Sequence, residues 1–194
     1  MIEDKGADNR IEVAATANLG TDLVVHGDRN TVLIGARTVL RGQPLEIRGS
    51  DCEVRIGEGC ILGGKIVLKA SRARVVIGAR TTSMFALISM HEAGTITLGE
   101  DCMLSAQINM DVSDMHSILD LETGQRLNPA RDITIGDHVW IGHGVYVSRG
   151  TTIGSGSVIG AKSLVRGEIP ANVVAAGVPA RVIRTGIRWV RERV

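Results

Sequence analysis

Aromatic side chains are nearly absent from this 194-residue chain, which holds only Phe85, Trp140, Tyr146 and Trp189. Any core must be built from Ile, Val, Leu and Ala, and the 44% hydrophobic content allows one. Proline is scarce at 4, while glycine reaches 24. That glycine follows no strict triplet, which excludes collagen, and the apolar content excludes a disordered tract. No apolar run approaches the ~18 residues of a membrane-spanning helix. The opening Met1-Ile2-Glu3-Asp4-Lys5 shows no apolar segment behind a basic one, so no signal peptide is expected. Neither charge dominates: 22 basic and 21 acidic residues give +1, so nothing asks for nucleic acid or an anionic membrane. Cys52, Cys60 and Cys102 are odd in number and form no CxxC pair, and they read as reduced thiols of a cytoplasmic protein. The length suits one domain over residues 1–194.

What the chain does have is a period. Stepping by six from Ile135 lands on Ile141, Val147, Ile153, Ile159 and Val165, all β-branched aliphatics. Glycine follows four of these six. Four residues after each aliphatic stand Val139, Val145, Thr151, Ser157, Ser163 and Ile169, mostly small or β-branched. Side chains on a strand alternate with period two, so the fourth and sixth positions share a face. Each hexad then turns a small residue and an aliphatic inward, and the neighbouring glycine is expected to permit a corner. Three short strands per turn give coils of 18 residues, a β-helix; a helical period of 3.6 does not fit.

The N-terminal half repeats the phrase at a longer pitch. Val13, Ile34, Ile56, Ile77 and Leu98 are spaced 21, 22, 21 and 21 apart, as an 18-residue coil with extra corner residues would be. Ala17, Thr38, Cys60, Thr81 and Cys102 follow four residues later. Cys60 and Cys102 are therefore expected to be small interior residues rather than catalytic thiols. End coils of a solenoid need capping. The stretch Arg184–Val194, within a cap over about 180–194, suits a strand or short helix.

The rhythm breaks once. It runs through Leu104 and Met110, stops, and resumes at Ile135. The interruption, 111–132, is polar and sets His116 among acidic residues, and long loops on a rigid scaffold tend to carry chemistry.

At this point the chain resembles the hexapeptide-repeat (left-handed β-helix) O-acetyltransferases, among them the sugar, nodulation-factor and capsular or exopolysaccharide enzymes. The resemblance rests on Asp114-Met115-His116-Ser117-Ile118 and on the run from Asp132 to Gly142 with its Val139-Trp140-Ile141-Gly142 strand. Ile159–Val165 and Ala176-Gly177-Val178-Pro179-Ala180-Arg181-Val182-Ile183-Arg184 extend it, so that it covers roughly 98–190. Upstream coils match only as generic repeats.

The resemblance implies a left-handed all-β prism, a homotrimer, acetyl-CoA as co-substrate in a cleft between prisms, no metal, and a carbohydrate acceptor. It gives His116 the role of general base in direct transfer to a sugar hydroxyl. Imidazole suits that role because it titrates near working pH. Asp114, Asp111 or a backbone carbonyl are candidates to hold the ring. A backbone N–H near Gly142 is a candidate donor to the oxyanion. Trp140 matches a tryptophan beside the CoA sulfur, or else packs at a corner on a neighbouring subunit. His143 and Ala161, 18 apart, match positions lining the pantetheine arm. Arg181 and Arg184 match residues that meet the nucleotide end, with Lys162 and Arg166 as further basic candidates. For each cation the alternative is solvated surface charge.

There are departures. Ser83-Met84-Phe85-Ala86 lacks the asparagine that small-sugar enzymes place there, Ser117 stands where they often have proline, and their N-terminal helical segment is missing. A polysaccharide acceptor is favoured. Three other readings stand beside this one: an N-acetyltransferase on an amino or nucleotide-linked sugar, a γ-class carbonic anhydrase and a non-catalytic scaffold. The carbonic anhydrase would use His138 and His143, whose phase after Ile135 is shifted by one. His26, His91 and His138 read as corner or surface residues.

Overall fold

The structure, a computed structural model, describes residues 1–193. Val194, the last residue of the expected cap, lies outside them. The hexad expectation holds throughout. Ile135, Ile141, Val147, Ile153, Ile159 and Val165 are all at most 1% exposed. The small residues between them are buried as well. One continuous aliphatic column results, with Met90, Ile108 and Met110 filling its middle coils.

Parallel strands stack coil on coil to build three faces of a β-helix. The first face runs from Arg10–Val13 through Gly94–Leu98, Ile133–Ile135 and Thr152–Ile153 to Glu168–Ile169. In the C-terminal coils Met103–Leu104, Trp140–Ile141 and Val158–Ile159 form the second face. Ile108–Met110, Tyr146–Val147 and Leu164–Val165 form the third. Register steps are 18 residues from Ile133 to Val165, as in Thr134↔Thr152 and Trp140↔Val158, and 16 into the last coil, as in Thr152↔Glu168.

The longer N-terminal pitch has a local cause. Long strands, Val39–Ile47, Ile61–Leu68 and Thr82–Met90, run across both the second and third faces. They bulge where the later coils turn a corner, between Gly42 and Leu45 and between Ser83 and Ala86. Gly64 sits in that bulge at φ +126°, a conformation side chains rarely adopt.

The glycine after each aliphatic is needed for a different reason from the one expected. It is the approach of the next coil, not the dihedral, that excludes a side chain. A Cβ on Gly57 would lie 2.5 Å from the Ala79 amide nitrogen. The left-handed residue of that corner stands two positions later, as Arg37 (φ 57°), Arg80 (φ 60°), Asp101 (φ 53°) and His138 (φ 52°) show.

Thr38, Cys60, Thr81 and Cys102 line the inside of this corner as an alternating column. Thr81 Oγ1 donates to the Gly99 carbonyl at 2.9 Å and accepts from the Cys102 amide at 3.1 Å. Burial raises all three thiols, Cys102 to about 11. They are structural, as expected.

The C-terminal cap is a strand set earlier than the expected one. Ala180–Thr185 folds back antiparallel on Val173–Gly177. Beyond it Trp189 crosses a corner and stacks on the His138 ring, centroids 4.0 Å apart and 7° from parallel. Trp189 Nε1 donates to the His138 carbonyl at 2.8 Å, and Arg191 donates to Asp101 Oδ1 at 3.0 Å. Residues 186–193 form no helix. No helix of the described residues is long and apolar enough to cross a membrane.

Candidate active site

The insertion leaves the corner between the third and first faces, after Ile108–Met110, and returns at Ile133–Ile135. Across it the register steps by 37, Met103 pairing with Trp140. The scaffold runs on beneath while the loop stands out from it. Polar contacts carry this loop, while its larger apolar side chains, Met115, Ile118, Leu119, Leu121 and Leu127, stay exposed. At its foot, Asp111 pairs with His91 Nδ1 and accepts from Ser89 Oγ at 3.1 Å. Arg126 on the returning limb grips Glu92 through Nη1 at 2.7 Å and Nη2 at 2.6 Å, and Ser113 Oγ also donates to Glu92. This clamp, chiefly the Arg126 hydrogen bond, holds the Glu92 carboxyl down at about 2. Arg149 Nε binds Asp114 at 2.6 Å. Asp120 closes the tip, accepting the Glu122 amide at 3.2 Å in an Asx turn and the Thr123 amide at 2.8 Å.

His116 is exposed on this anchored loop. Met115 before it is left-handed at φ 64°, and the His116 amide donates to the Asp114 carbonyl at 2.8 Å. That tight turn presents the ring outward. Neither carboxylate considered for the ring holds it. Asp114 is committed to Arg149 and, at 3.0 Å, to Asn128. Those hydrogen bonds, Arg149 first, hold its carboxyl below the usual range. Asp111 serves His91. Among the described residues the His116 ring has no hydrogen-bond partner within its own chain, so a nitrogen is free for an incoming proton.

The remaining candidates fall elsewhere. Trp140 lies on the second face, 39% exposed and tilted against Trp189 at 6.0 Å between centroids. Gly142, His143, Ala161 and Lys162 meet at the corner between the second and third faces. A Cβ on Gly142 would lie 2.8 Å from the Ala161 nitrogen, and the Lys162 amide donates to the His143 carbonyl at 2.8 Å. The Gly142 amide donates to the Ile159 carbonyl at 2.8 Å, so it is not free to bind an oxyanion. Arg181 and Arg184 are exposed on the returning strand, in register with Ala176 and Val174. Arg166 does not join them. It lies at the loop's corner, in a cleft with Asp114, Arg131, Tyr146 and Arg149. His138 and His143 occupy different corners, and His138 is engaged by Asp101 at 2.7 Å and the Trp189 carbonyl at 3.0 Å. They form no common metal site, and the described residues contain no cluster of three or more metal-ligating side chains.

The geometry has counterparts. Residues 132–167 match the bacterial transferase hexapeptide (six repeats) family model. The polysialic acid O-acetyltransferase of Neisseria meningitidis is 31% identical over 141 residues, which cover 72% of this chain and 66% of that protein. The match thus spans just under two thirds of that relative's length. The crystal structure of the polysialic acid O-acetyltransferase OatWY superposes with a TM-score of 0.96 at 31% identity, covering 100% of this chain and 93% of that one. The chain belongs to the hexapeptide-repeat acetyltransferases. A second solved structure, the polySia specific acetyltransferase NeuO, gives a TM-score of 0.87 at 30% identity over 99% of this chain and 89% of that one.

In this hexapeptide-repeat acetyltransferase several residues of the loop region escaped the sequence reading. Asn128, Arg126, Arg149 and Glu92 anchor the His116 loop, yet they lie 10 to 35 residues from their partners. Their spacing carries no periodic signal. His91, read as a corner residue, is indeed at the corner but buttresses the loop through Asp111. Ser83, in the stretch where an acceptor asparagine was lacking, is buried. Its hydroxyl donates to the Gly63 carbonyl at 2.8 Å, leaving Met84 and Phe85 exposed beside it.

Proposed function

We propose that this chain transfers an acetyl group from acetyl-CoA to a hydroxyl of a polysaccharide, with His116 as the general base. The observation that carries the reading is the exposed His116 imidazole, without a hydrogen-bond partner among the described residues, on a loop pinned by Arg126 and Arg149. His116 would take the acceptor's proton as its oxygen attacks the thioester carbonyl. A C–O bond forms, the C–S bond breaks, and the proton passes to the departing thiolate. No acyl-enzyme is needed.

The donor would lie along the other corner. The exposed Trp140 indole suits a pantetheine arm, the backbone of His143 and Ala161 suits lining it, and Arg181 and Arg184 suit nucleotide phosphates. His116 and these residues occupy different corners of one prism. A site using both is therefore one assembled between copies, which supports a homotrimer with composite active sites. The relatives named for polysialic acid support an acidic glycan as acceptor, and the cleft of Arg131, Arg149 and Arg166 beside the loop suits its carboxylates. Three buried unpaired thiols fit a cytoplasmic setting.

The test is a transfer assay with radiolabelled acetyl-CoA offered to polysialic acid, to a neutral polysaccharide, to a simple galactoside and to a nucleotide-linked amino sugar. Label entering polysialic acid and released by mild base supports an ester on an acidic glycan. Base-stable label in an amino sugar would overturn O-acetylation.

A further inference from the structure

We propose that Asn128 is the residue that positions His116 for catalysis; the proposal rests on His116 being the general base. Asn128 lies on the loop's returning limb and is only 2% exposed. Its carboxamide is fully used. Nδ2 donates to the His116 carbonyl at 2.8 Å and to Asp114 Oδ2 at 3.0 Å. Oδ1 accepts the Ile118 amide at 2.7 Å and Arg126 Nε at 3.5 Å. The three contacts to 114–118 fall two residues before His116, on it and two residues after it. One buried side chain thus brackets the segment that carries the exposed ring. The orientation of the amide follows from its partners, since its oxygen faces an N–H and its nitrogen faces two acceptors. Flipping it would break all three contacts.

The segment needs such a brace. Met115 is left-handed at φ 64°, a region that favours glycine, and non-glycine residues hold it only where the surroundings impose it. The other anchors act at a distance from the histidine. Arg126 fixes the returning limb to Glu92, and Arg149 fixes the Asp114 carboxylate. Among the described residues, Asn128 is the one side chain that hydrogen-bonds His116 itself. Losing it frees 114–118 to relax and the ring to drift, and general-base catalysis is steeply sensitive to drift. Asn128 touches no reacting atom on this account. It is a positioning residue.

Two variants and a control test the inference, read by steady-state kinetics, calorimetric binding of acetyl-CoA and hydrogen exchange. Asn128→Ala removes all three bonds. Asn128→Asp keeps the size and the acceptor for Ile118 but turns a carboxylate on Asp114 and the His116 carbonyl. Both are expected to lower kcat about 10- to 100-fold. The KM and Kd for acetyl-CoA should stay within about twofold, with faster exchange confined to peptides covering 114–118. Turnover within about twofold of the parent in both variants would overturn the proposal. So would loss of acetyl-CoA binding in step with kcat, which would make Asn128 a residue of general stability. His116→Ala separates this failure from that of the underlying reading. If His116→Ala turns over normally, the base assignment has failed. If it is inactive while the Asn128 variants are unaffected, the positioning inference has failed.

Discussion

Arg126 reaches back 34 positions to hold both oxygens of Glu92, at 2.7 and 2.6 Å, and this clamp ties the His116 loop to the coil beneath it. Because the clamp depresses the Glu92 carboxyl to about 2, loop attachment depends on pH in a defined direction. A group whose folded value is lowered contributes stability above its unfolded value, and that contribution is lost as pH falls through the folded value. Protection of amides in 111–132, corrected for intrinsic exchange, should fall between about pH 4.5 and about pH 2. In Glu92→Gln the protection should already be reduced at neutral pH. Over that acid range it should then fall less than in the parent, the remaining change coming from Asp114 and Asp120, whose carboxyls are also held below their usual range.

Trp189 caps the His138 ring and braces Trp140. Trp189 is only 7% exposed but lies outside the aliphatic column, so Trp189→Ala removes a clasp over the corner. A clear loss is expected in denaturant unfolding, smaller than the about 3–5 kcal/mol of a core tryptophan, without change of fold by circular dichroism. Trp140 should become more mobile, seen as a red shift and easier quenching of the remaining tryptophan fluorescence.

The column of Thr38, Cys60, Thr81 and Cys102 makes the thiols unreactive. Each is buried, and burial raises the Cys102 thiol to about 11. A disulfide reagent at neutral pH should leave Cys52, Cys60 and Cys102 unmodified in the native protein and titrate all three after denaturation. Cys102→Thr should cost less than about 1.5 kcal/mol, because threonine already serves the same position one coil below.

Replacing glycine by alanine in a corner commonly stabilises a protein through the unfolded chain, by about 0.4–1 kcal/mol. Gly57→Ala should show the opposite sign. Its Cβ would meet backbone on the next coil, with the Ala79 nitrogen at 2.5 Å, and backbone cannot yield as a flexible side chain can. Urea unfolding should show a clear destabilisation.

The interior was legible from the sequence because a solenoid repeats its physics. Ile135 and Val139 have the same surroundings as Ile153 and Ser157 one coil on, so period alone marks them. Where the repeat ends, legibility ends with it. The loop boundaries at 111 and 132 were readable as a break, and His116 as its histidine. The bonds that shape the loop, from Asn128 to His116 and from Arg149 to Asp114, depend on how a nonrepeating limb returns. Proximity in sequence makes Asp114 and Asp111 candidates for the ring, yet Asp114 is bound by the arginine 35 residues on and Asp111 by His91. The tail clasp was hidden for the same reason, since Trp189 meets His138 across 51 residues. Glycine positions were legible, while their cause, the next coil's backbone, was not.

The central claim is that His116 is the base of an acetyl transfer and takes no part in holding acetyl-CoA. The most direct test is His116→Ala, measured for turnover with acetyl-CoA and polysialic acid and for acetyl-CoA affinity by calorimetry on the same sample. In His116→Ala kcat should fall about 10²–10⁴-fold with affinity unchanged within about twofold. Parent-like turnover in His116→Ala, or no acetyl-CoA binding by the parent protein, would contradict it.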